Sequence, residues 1–334
     1  MIRIGINGLG RIGRCIIRAA AELNKSGIEI IAANGTSKAQ DCLFLIKYDS
    51  VHGTYHGEIK AENDYIYIGK HKIKMLSQLN PGLIPWGDLG VEVVLECTGQ
   101  FTNKADASKH LNGGAKKVIV SAPCREADAT IVYGVNNQAL TNDCKVISIG
   151  SCTTNALAPI AKVLNDNIGI ECGYVTTIHS YTNDQNLLDN RHKDIRRARA
   201  CALSMIPTST GVAKTIGLVL PELAGKLSGS AIRVPTPNVS MIDFTFNASR
   251  NTSKDEVNQF IINAANNKLK DVLSVAETTL VSIDFNHNPH SSIFDQYETQ
   301  VVCNKMVRVV SWYDNEWGFT ARMLDVAKLF KDLI

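Results

Sequence analysis

The sequence lacks any apolar run long enough to cross a membrane as a helix, and its first residues, MIRIGING, lack the basic and long apolar regions of a secretory signal. Neither sign of charge is in strong excess, because 35 Lys and Arg stand against 32 Asp and Glu and give a formal charge of +3. A surface for nucleic acid or an anionic membrane needs clustered excess charge. We therefore expect a cytoplasmic protein that binds neither nucleic acid nor membrane.

The nine cysteines include no CxxC pair, the spacing typical of structural zinc and redox sites. Their number is odd, and without a secretion signal a reducing compartment is expected, so we predict no disulfide framework. A free cysteine is usually a small buried apolar residue. We predict no metal site, and a role for any one cysteine must be supported by its neighbours in the sequence.

No low-complexity linker or internal repeat is present, and 334 residues are enough for two domains. In the first half, apolar strand patterns alternate with helical ones, which is typical of the doubly wound parallel sheet of the Rossmann α/β class. These patterns predict strands at 2–7, 28–33, 91–96, 117–121 and 145–149 and helices at 11–23 and 104–112.

The second half has longer strand patterns with fewer helices between them, which favours a mixed or antiparallel sheet in an α+β arrangement. We predict strands at 173–179, 230–235, 239–247, 280–285 and 306–313, and helices at 153–165, 255–269 and 321–333. Thr252 or Ser253 is expected to be the N-cap of the helix at 255–269.

The residues GLGRIG at positions 8–13 form a GxGxxG motif between the first predicted strand and the first predicted helix. In a dinucleotide site, Gly8 makes the tight turn, Gly10 lets the backbone approach a pyrophosphate, and Gly13 allows close packing of helix and strand. The helix N-terminus supplies N–H groups and a positive dipole to the phosphates. The alternative is a glycine-rich turn that holds no ligand.

The acidic residue that usually follows the second strand of an NAD site is missing, and Gly35 stands in its place. Its absence removes a hydrogen-bond acceptor for the adenosine ribose and a charge that would repel a 2′-phosphate. Thr36, Ser37 and Lys38 follow and are able to donate hydrogen bonds to such a phosphate. Our hypothesis is that the site uses both NAD and NADP. Alternatively, Gly35 only shapes a turn.

Cys152 lies in the segment SIGSCTTN, between a predicted strand and a predicted helix. A thiol at a helix N-terminus is expected to have a lowered pKa, since the dipole stabilises the thiolate. A thiolate adds to an aldehyde, and loss of hydride from the adduct to a nicotinamide leaves a thioester. His179, which ends the next predicted strand, is the candidate base, although a single histidine is more often structural.

Several long segments resemble phosphorylating glyceraldehyde-3-phosphate dehydrogenase over essentially the whole chain. They are NGLGRIGR, LIKYDSVHG, SCTTN with the following LAP, TTIHSYTNDQ, HKDIRRARA, IPTSTG, RVPTPNVS and SWYDNEWGF. The resemblance implies a homotetramer of the glycolytic and gluconeogenic type that converts D-glyceraldehyde 3-phosphate and inorganic phosphate to 1,3-bisphosphoglycerate. It also implies a dinucleotide-binding domain at 1–150, joined by a C-terminal helix at about 316–334, and a catalytic domain at 151–315.

Carried over by motif, the resemblance makes Cys152 the nucleophile and His179 its base. The residues it implies for substrate and phosphate are Ser151, Thr153, Thr182, Arg197, Thr210, Gly211 and Arg233. Those it implies for the cofactor, beside the three motif glycines, are Arg11, Ile12, Thr98, Gly99, Ser121 and Asn315.

Two departures from this family support the cofactor hypothesis. Members specific for NAD have an acid at the position of Gly35, and they often have Leu-Pro where this chain has Asn190-Arg191. The alternative substrate is erythrose 4-phosphate, because the segment VSIDFNHNPHS at 281–291 is similar to the related erythrose-4-phosphate dehydrogenase.

Overall fold

The structure, a computed structural model, describes residues 1–334 apart from the side chain of Asp332. The chain forms two compact units. One comprises Met1–Ser151 and Thr320–Ile334, and the other comprises Cys152–Phe319. Among the described residues, no helix combines the length and the apolar character needed to span a membrane.

The first unit contains a parallel-rich sheet with helices between its strands. The strands of this unit are β1 (Ile2–Asn7), β2 (Ile28–Asn34), β3 (Tyr48–Asp49), β4 (Gly53–Thr54), β5 (Ile59–Glu62), β6 (Tyr65–Ile68), β7 (His71–Leu76), β8 (Val93–Glu96), β9 (Lys117–Val120), β10 (Ala129–Thr130) and β11 (Val146–Ser148). Strands β3 and β4 form a separate two-stranded sheet. Its helices are α1 (Arg11–Glu22), α2 (Ala39–Lys47), α3 (Lys104–Ala107) and α4 (Lys109–Asn112), with 3₁₀ turns at Pro81–Leu83 and Asn137–Ala139.

The strand order of this sheet is β10-β11-β9-β8-β1-β2-β7-β6-β5. β1 pairs in parallel with β2 on one side and β8 on the other, with Ile4 beside both Ile30 and Val93. Successive residues of β1 are buried because both faces of the sheet are covered. The order reverses at β1, and in such sheets a ligand binds at the carboxyl ends of the strands beside this point.

The second unit is built on a mixed sheet. Its strands are β12 (Ile170–Ser180), β13 (Ile206–Ser209), β14 (Leu227–Val234), β15 (Ser240–Ala248), β16 (Leu273–Val275), β17 (Ser292–Val302) and β18 (Met306–Tyr313). Its helices are α5 (Cys152–Ile168), α6 (Val212–Val219) and α7 (Lys254–Asn266). Helix α8 (Trp317–Leu329) begins in this unit, and its residues from Thr320 onward belong to the first unit. Short 3₁₀ helices lie at Pro221–Leu223, Ser282–Phe285 and, in the first unit, Phe330–Asp332.

The strand order of this second sheet is β13-β14-β12-β15-β18-β17-β16. β12 pairs in parallel with β14 and antiparallel with β15, so His179 lies beside Arg233 in register. Helix α5 packs against this sheet and against α6 and α7, and its Leu157, Ile160 and Leu164 are buried. The packing of α5 on this sheet therefore fixes the positions of Cys152, at the start of α5, and of His179, near the end of β12.

Two predicted elements are wrong in type or continuity. The strand expected at 280–285 is a 3₁₀ helix at Ser282–Phe285, because the Asp284 carboxylate accepts a hydrogen bond from the Val281 N–H and closes a turn. The single helix expected at 104–112 is two short helices that meet at Ser108. The N-cap of α7 is Ser253, whose hydroxyl accepts from the Glu256 N–H.

Candidate functional site

The three motif glycines meet different surroundings in the turn between β1 and α1. A Cβ on Gly13 would lie 2.0 Å from the Gly8 carbonyl oxygen, and a Cβ on Gly8 would lie 2.6 Å from the Thr98 nitrogen. A Cβ on Gly10, the N-cap of α1, would meet no protein atom within 4 Å. Packing therefore requires Gly8 and Gly13, whereas Gly10 leaves open space at a helix N-terminus, as a bound pyrophosphate needs.

Other predicted cofactor residues lie in the same unit near this turn. Arg11, the first residue of α1, donates two hydrogen bonds to the Asp49 carboxylate, which holds the pKa of that carboxyl at about 2 despite the opposing effect of burial. Ile12 follows in α1 and is half-buried. Thr98 and Gly99 follow β8, and Ser121 follows β9 with its N–H donated to the Glu96 carbonyl.

Gly35 directly follows β2 and donates its N–H to the Leu76 carbonyl at 3.0 Å. A Cβ there would lie 3.1 to 3.3 Å from side-chain atoms of Leu9. Thr36, Ser37 and Lys38, which come next, are exposed. The end of β2 therefore offers neutral and cationic donors and no carboxylate where the adenosine ribose is expected.

The predicted nucleophile and base are brought together in the second unit. Cys152 is the first residue of α5, and its Sγ lies 3.4 Å from Nε2 of His179 near the end of β12. The His179 Nδ1 donates to the Ser180 carbonyl at 2.7 Å, since a carbonyl oxygen only accepts. Nε2 of the neutral ring is therefore unprotonated and accepts from the thiol, as a general base requires.

Burial governs the protonation of this pair. Desolvation and, secondarily, the charge of Arg233 lower the pKa of His179 to about 3. Desolvation also raises the pKa of Cys152 above its ordinary value, while Arg233 and the hydroxyl and N–H of Thr153 act in the lowering direction. The N–H groups at the start of α5 thus act in the predicted lowering direction, but desolvation outweighs them and the pKa of Cys152 is raised overall. Both directions favour the neutral thiol beside the neutral imidazole.

Arg233, near the end of β14, is the predicted anion-binding residue beside this pair. Its Nη1 donates to the Ser180 carbonyl at 3.1 Å and to the Thr182 hydroxyl at 3.0 Å. Its Nε is buried and has no hydrogen-bond partner among the described residues. Burial lowers the pKa of Arg233 from its ordinary value. A partly buried guanidinium whose buried Nε is an unused donor favours an anionic ligand such as a phosphate.

Arg197 is held by protein groups in this structure. Its Nη1 is hydrogen-bonded to the Asp184 carboxylate, its Nε donates to the Thr208 hydroxyl at 3.0 Å, and Asp194 lies 3.6 Å from Nε. The Arg197 cation in turn holds the pKa of Asp184 below its usual value. Arg197 is thus oriented by two carboxylates that sequence reasoning did not identify.

The remaining predicted phosphate residues lie at two helix N-termini. Ser151 precedes α5, and Thr153 lies in its first turn with its hydroxyl bonded to the Tyr313 hydroxyl at 2.9 Å. Gly211 is the N-cap of α6, and the Thr210 hydroxyl accepts from the Val212 N–H at 3.2 Å. A Cβ on Gly211 would meet no protein atom within 4 Å, so its backbone is open to a ligand.

Asn315, the predicted nicotinamide contact, is buried and oriented by two hydroxyls. Its Oδ1 accepts from Ser180 Oγ at 2.8 Å and from Ser240 Oγ at 2.9 Å. Fixing Oδ1 in this way fixes the orientation of the Nδ2 donor as well. The position of Ser180 next to His179 in the sequence suggested a place in the site, whereas nothing in the sequence pointed to Ser240.

Tyr313 is the main residue of the site that sequence reasoning missed. Its buried hydroxyl lies 2.9 Å from both the Thr153 and the Thr177 hydroxyls, and burial raises its pKa well above the usual range. Its ring is edge-on to the His179 ring at 6.0 Å. Its place in the segment SWYDNEWGF was the one available signal.

The chain is similar to known proteins along both units. Residues 2–104 match the family model described as glyceraldehyde 3-phosphate dehydrogenase, NAD binding domain. Residues 151–315 match the model described as glyceraldehyde 3-phosphate dehydrogenase, C-terminal domain.

Curated relatives match over nearly the full length of both chains. The glyceraldehyde-3-phosphate dehydrogenase of Xanthobacter flavus is 55% identical over 326 residues, which cover 98% of this chain and 97% of the relative. That of Cereibacter sphaeroides is 54% identical over the same shares of the two chains. Glyceraldehyde-3-phosphate dehydrogenase 1 of Bacillus subtilis is 50% identical over 329 residues, 98% of this chain and 97% of the relative.

Proposed function

Because the chain belongs to the glyceraldehyde 3-phosphate dehydrogenase family, an NAD-dependent oxidoreductase family, we propose that it converts D-glyceraldehyde 3-phosphate and inorganic phosphate to 1,3-bisphosphoglycerate. The observation that carries this proposal is the Cys152 Sγ at 3.4 Å from the unprotonated Nε2 of His179, with the partly buried Arg233 beside them. This arrangement brings together a nucleophile, a base and an arginine able to bind phosphate.

In the proposed reaction, Cys152 Sγ adds to the aldehyde carbon, and His179 Nε2 accepts the thiol proton and passes it to the aldehyde oxygen. The same nitrogen takes the hydroxyl proton of the hemithioacetal when its carbon loses a hydride, which leaves a thioester on Cys152. An oxygen of inorganic phosphate then attacks the thioester carbonyl, the C–S bond breaks, and the leaving Cys152 thiolate takes the proton that His179 Nε2 holds. When bound, the nicotinamide dinucleotide supplies the hydride acceptor.

Arg233, with Thr182 as its hydrogen-bond partner, and Arg197 are proposed to bind the substrate phosphate. Arginine suits this role because its planar donors pair with phosphate oxygens. Ser151, Thr153, Thr210 and Gly211 are proposed to bind the attacking phosphate. The open backbone of Gly211 at the start of α6 supports that assignment.

We assign the dinucleotide to the carboxyl ends of β1, β2, β8 and β9. The open space at Gly10 supports this placement, since a Cβ would otherwise fill the space beside the α1 N-terminus. The residues proposed to hold it are Gly8, Gly10, Arg11, Ile12, Gly13, Gly35, Thr98, Gly99, Ser121 and Asn315. In domain terms, residues 1–150 with the helix at about 316–334 would bind the dinucleotide, and 151–315 would carry the chemistry.

We further propose that the site uses both NAD and NADP. Gly35 stands where an NAD-specific site has a carboxylate, and the exposed Lys38 lies three residues later. Steady-state kinetics with each cofactor test this proposal. An NADP specificity constant several hundredfold below that for NAD would refute it. In Gly35→Asp the added charge should repel a 2′-phosphate and lower the NADP constant selectively, with Leu9 moving by a few tenths of an ångström to make room.

The reaction itself is tested by following formation of the reduced nicotinamide with D-glyceraldehyde 3-phosphate, with and without inorganic phosphate. We expect multiple turnovers only when phosphate is present, and we expect Cys152→Ser to abolish them. A parallel assay with D-erythrose 4-phosphate identifies the related activity. Turnover of that sugar phosphate at a higher specificity constant would contradict the proposal.

A further inference from the structure

A buried carboxylate at the end of β8 has no part in the reaction proposed above. Glu96 is 1% exposed and accepts four hydrogen bonds in the first unit. Its Oε1 accepts from the Thr98 N–H at 2.7 Å and from the Thr98 hydroxyl at 2.5 Å. Its Oε2 accepts from Asn7 Nδ2 at 2.6 Å and from His110 Nε2 at 2.9 Å.

His110 can only donate to this carboxylate. The indole N–H of Trp86 donates to His110 Nδ1 at 3.0 Å, and indole nitrogen never accepts. Nδ1 is therefore the unprotonated nitrogen, and the ring proton resides on Nε2, facing Glu96. Both rings are fully buried, so no solvent replaces either hydrogen bond.

Asn7 is fixed as a donor in the same way. The backbone of Gln78 orients Asn34, because the Asn34 Oδ1 accepts from the Gln78 N–H and its Nδ2 donates to the Gln78 carbonyl, both at 2.8 Å. The Asn34 Nδ2 also donates to Asn7 Oδ1 at 2.8 Å, which leaves Asn7 Nδ2 for Glu96. The chain of hydrogen bonds thus runs in one direction, from Gln78 to Glu96.

The groups that Glu96 holds adjoin the proposed dinucleotide site. Asn7, Asn34 and Glu96 are the last residues of β1, β2 and β8, the adjacent strands whose carboxyl ends form it. Thr98 packs directly on the glycine turn, since a Cβ on Gly8 would lie 2.6 Å from its nitrogen. Movement of Thr98 would therefore change the wall of the pocket.

We propose that Glu96 is a positioning residue for the dinucleotide: its carboxylate holds the Thr98-Gly99 turn against Gly8 and so sets the shape of the pocket. This inference rests on the proposed placement of the cofactor in the first unit. It also identifies why a carboxylate is needed there. A glutamine amide at this position would direct its N–H₂ group at a side chain that also donates. His110 and Asn7 cannot become acceptors instead, because Trp86 and the Gln78 backbone fix their orientation.

The test is Glu96→Gln in the full-length protein, with the Kd for NAD measured by isothermal titration calorimetry. We expect the Kd to rise by about tenfold or more, as a buried donor loses its acceptor. Hydrogen exchange should show faster exchange of the Thr98 amide and unchanged protection in β12 and β15. The alkylation rate of Cys152 by iodoacetamide should be unchanged, which separates a local effect from unfolding.

Glu92→Gln is the matched control, because Glu92 lies just before the same strand but pairs with Arg3 and Lys116. Its Kd for NAD should stay within about twofold of the wild-type value, well below the effect of losing a buried acceptor. Should Glu96→Gln fail to fold, Thr98→Val removes only the hydroxyl donor, and its Kd for NAD should rise severalfold. An unchanged Kd in the folded Glu96→Gln protein, or in Thr98→Val, would overturn the inference.

A Gly10→Ala variant distinguishes failure of this inference from failure of the cofactor placement. If Gly10→Ala leaves NAD binding unchanged, the placement itself is wrong. If Gly10→Ala weakens binding and Glu96→Gln does not, the placement stands and Glu96 has no positioning role.

Discussion

At the scale of single residues, the three motif glycines show that one pattern serves two purposes. Gly8 and Gly13 have no room for a Cβ because backbone atoms lie within 2.6 Å of where it would be. Gly10 has that room, so its lack of a side chain is not required by the fold. The residue that packing leaves free is the one expected to meet the ligand.

Gly10→Ala should therefore raise the Kd for NAD by about tenfold or more, since its methyl group would stand where the pyrophosphate approaches the backbone. Its free energy of unfolding should change by less than about 1 kcal/mol, because only the N-cap residue of α1 changes. Calorimetry and urea denaturation measure the two quantities. Gly211→Ala, at an equally open position, should leave the Kd for NAD unchanged. A similar rise in Kd for that variant would show that the effect of Gly10→Ala is not specific to the proposed site.

The pKa of His179 gives a pH dependence with a definite sign. The pKa is about 3 in the folded chain against 6.5 for the unperturbed group. Between these values the unfolded chain binds one more proton at this position, so His179 makes the folded state less stable as the pH falls from 7 to 4. This loss of stability begins as the pH falls through about 6.5 and grows until the pH reaches the folded-state pKa of about 3.

His179→Gln should accordingly gain stability relative to the wild type as the pH is lowered from 7 to 4. Urea denaturation of both proteins across this range measures it, and a pH-independent difference would contradict the assignment. At pH 7 the same variant should lose about 10²- to 10⁴-fold in kcat, the range for loss of a general base, with a smaller change in KM for the aldehyde.

The sequence allowed Cys152 and His179 to be singled out because each ends or begins an element with a recognisable pattern. The protonation of the pair could not be predicted, since burial around Cys152 depends on side chains that are distant in sequence. For the same reason Asp184 and Tyr313 were missed. Tyr313 is 160 residues from the Thr153 hydroxyl that it contacts.

At the scale of elements, Tyr313 connects the start of α5 with two strands. Its hydroxyl, at the end of β18, bonds to Thr153 of α5 and Thr177 of β12. All three hydroxyls are buried. This junction sets where the first turn of α5, and with it Cys152, lies relative to the end of β12.

Tyr313→Phe should cost about 1–3 kcal/mol of stability, because two buried threonine hydroxyls lose a partner. It should also lower kcat severalfold, since Cys152 is then less well held opposite His179. Thermal denaturation and steady-state kinetics measure these effects. Tyr174→Phe, on the same sheet but 48% exposed, is the control and should change neither the stability nor kcat. If Tyr313→Phe also left both unchanged, the hydroxyl of Tyr313 would have no role in positioning Cys152.

Elements with strong local patterns were predicted nearly to the residue, as β1 at Ile2–Asn7 and β18 at Met306–Tyr313 show. The segment at 280–285 was predicted wrongly because its apolar residues alternate as in a strand, while Val281 and Ile283 are in fact exposed on a 3₁₀ turn. The antiparallel strands β5 and β6 were not predicted. They extend the first sheet beyond its parallel part.

At the scale of the whole molecule, exposed apolar side chains concentrate in the segment 187–205. Leu187, Leu188, Ile195, Leu203 and Met205 are each at least 72% exposed. A contiguous exposed apolar surface is typical of an interface with another protein. It is consistent with the homotetramer that the family resemblance implies, in which copies of this chain would cover the segment.

Light scattering coupled to size exclusion should give four times the chain mass of 36.4 kDa. Leu203→Glu should lower that mass toward a dimer or monomer, because a carboxylate would be buried without a partner. Leu83→Glu, at a similarly exposed position outside the segment, should leave it unchanged. A wild-type mass equal to one chain would refute the tetramer.

The fold class was predictable as a whole because alternating elements leave few architectures open. The match of both family models agrees with that prediction. Cofactor choice was not predictable to the same degree, because it depends on a few donors around Gly35 rather than on the fold.

The most direct test of the chemistry is intact-protein mass spectrometry of the enzyme mixed with D-glyceraldehyde 3-phosphate and NAD in the absence of phosphate. The proposed mechanism predicts a mass increase equal to one acyl group per chain, located on Cys152 by peptide mapping and removed when inorganic phosphate is added. An acyl group on another residue, or full dehydrogenase turnover by Cys152→Ser, would contradict it.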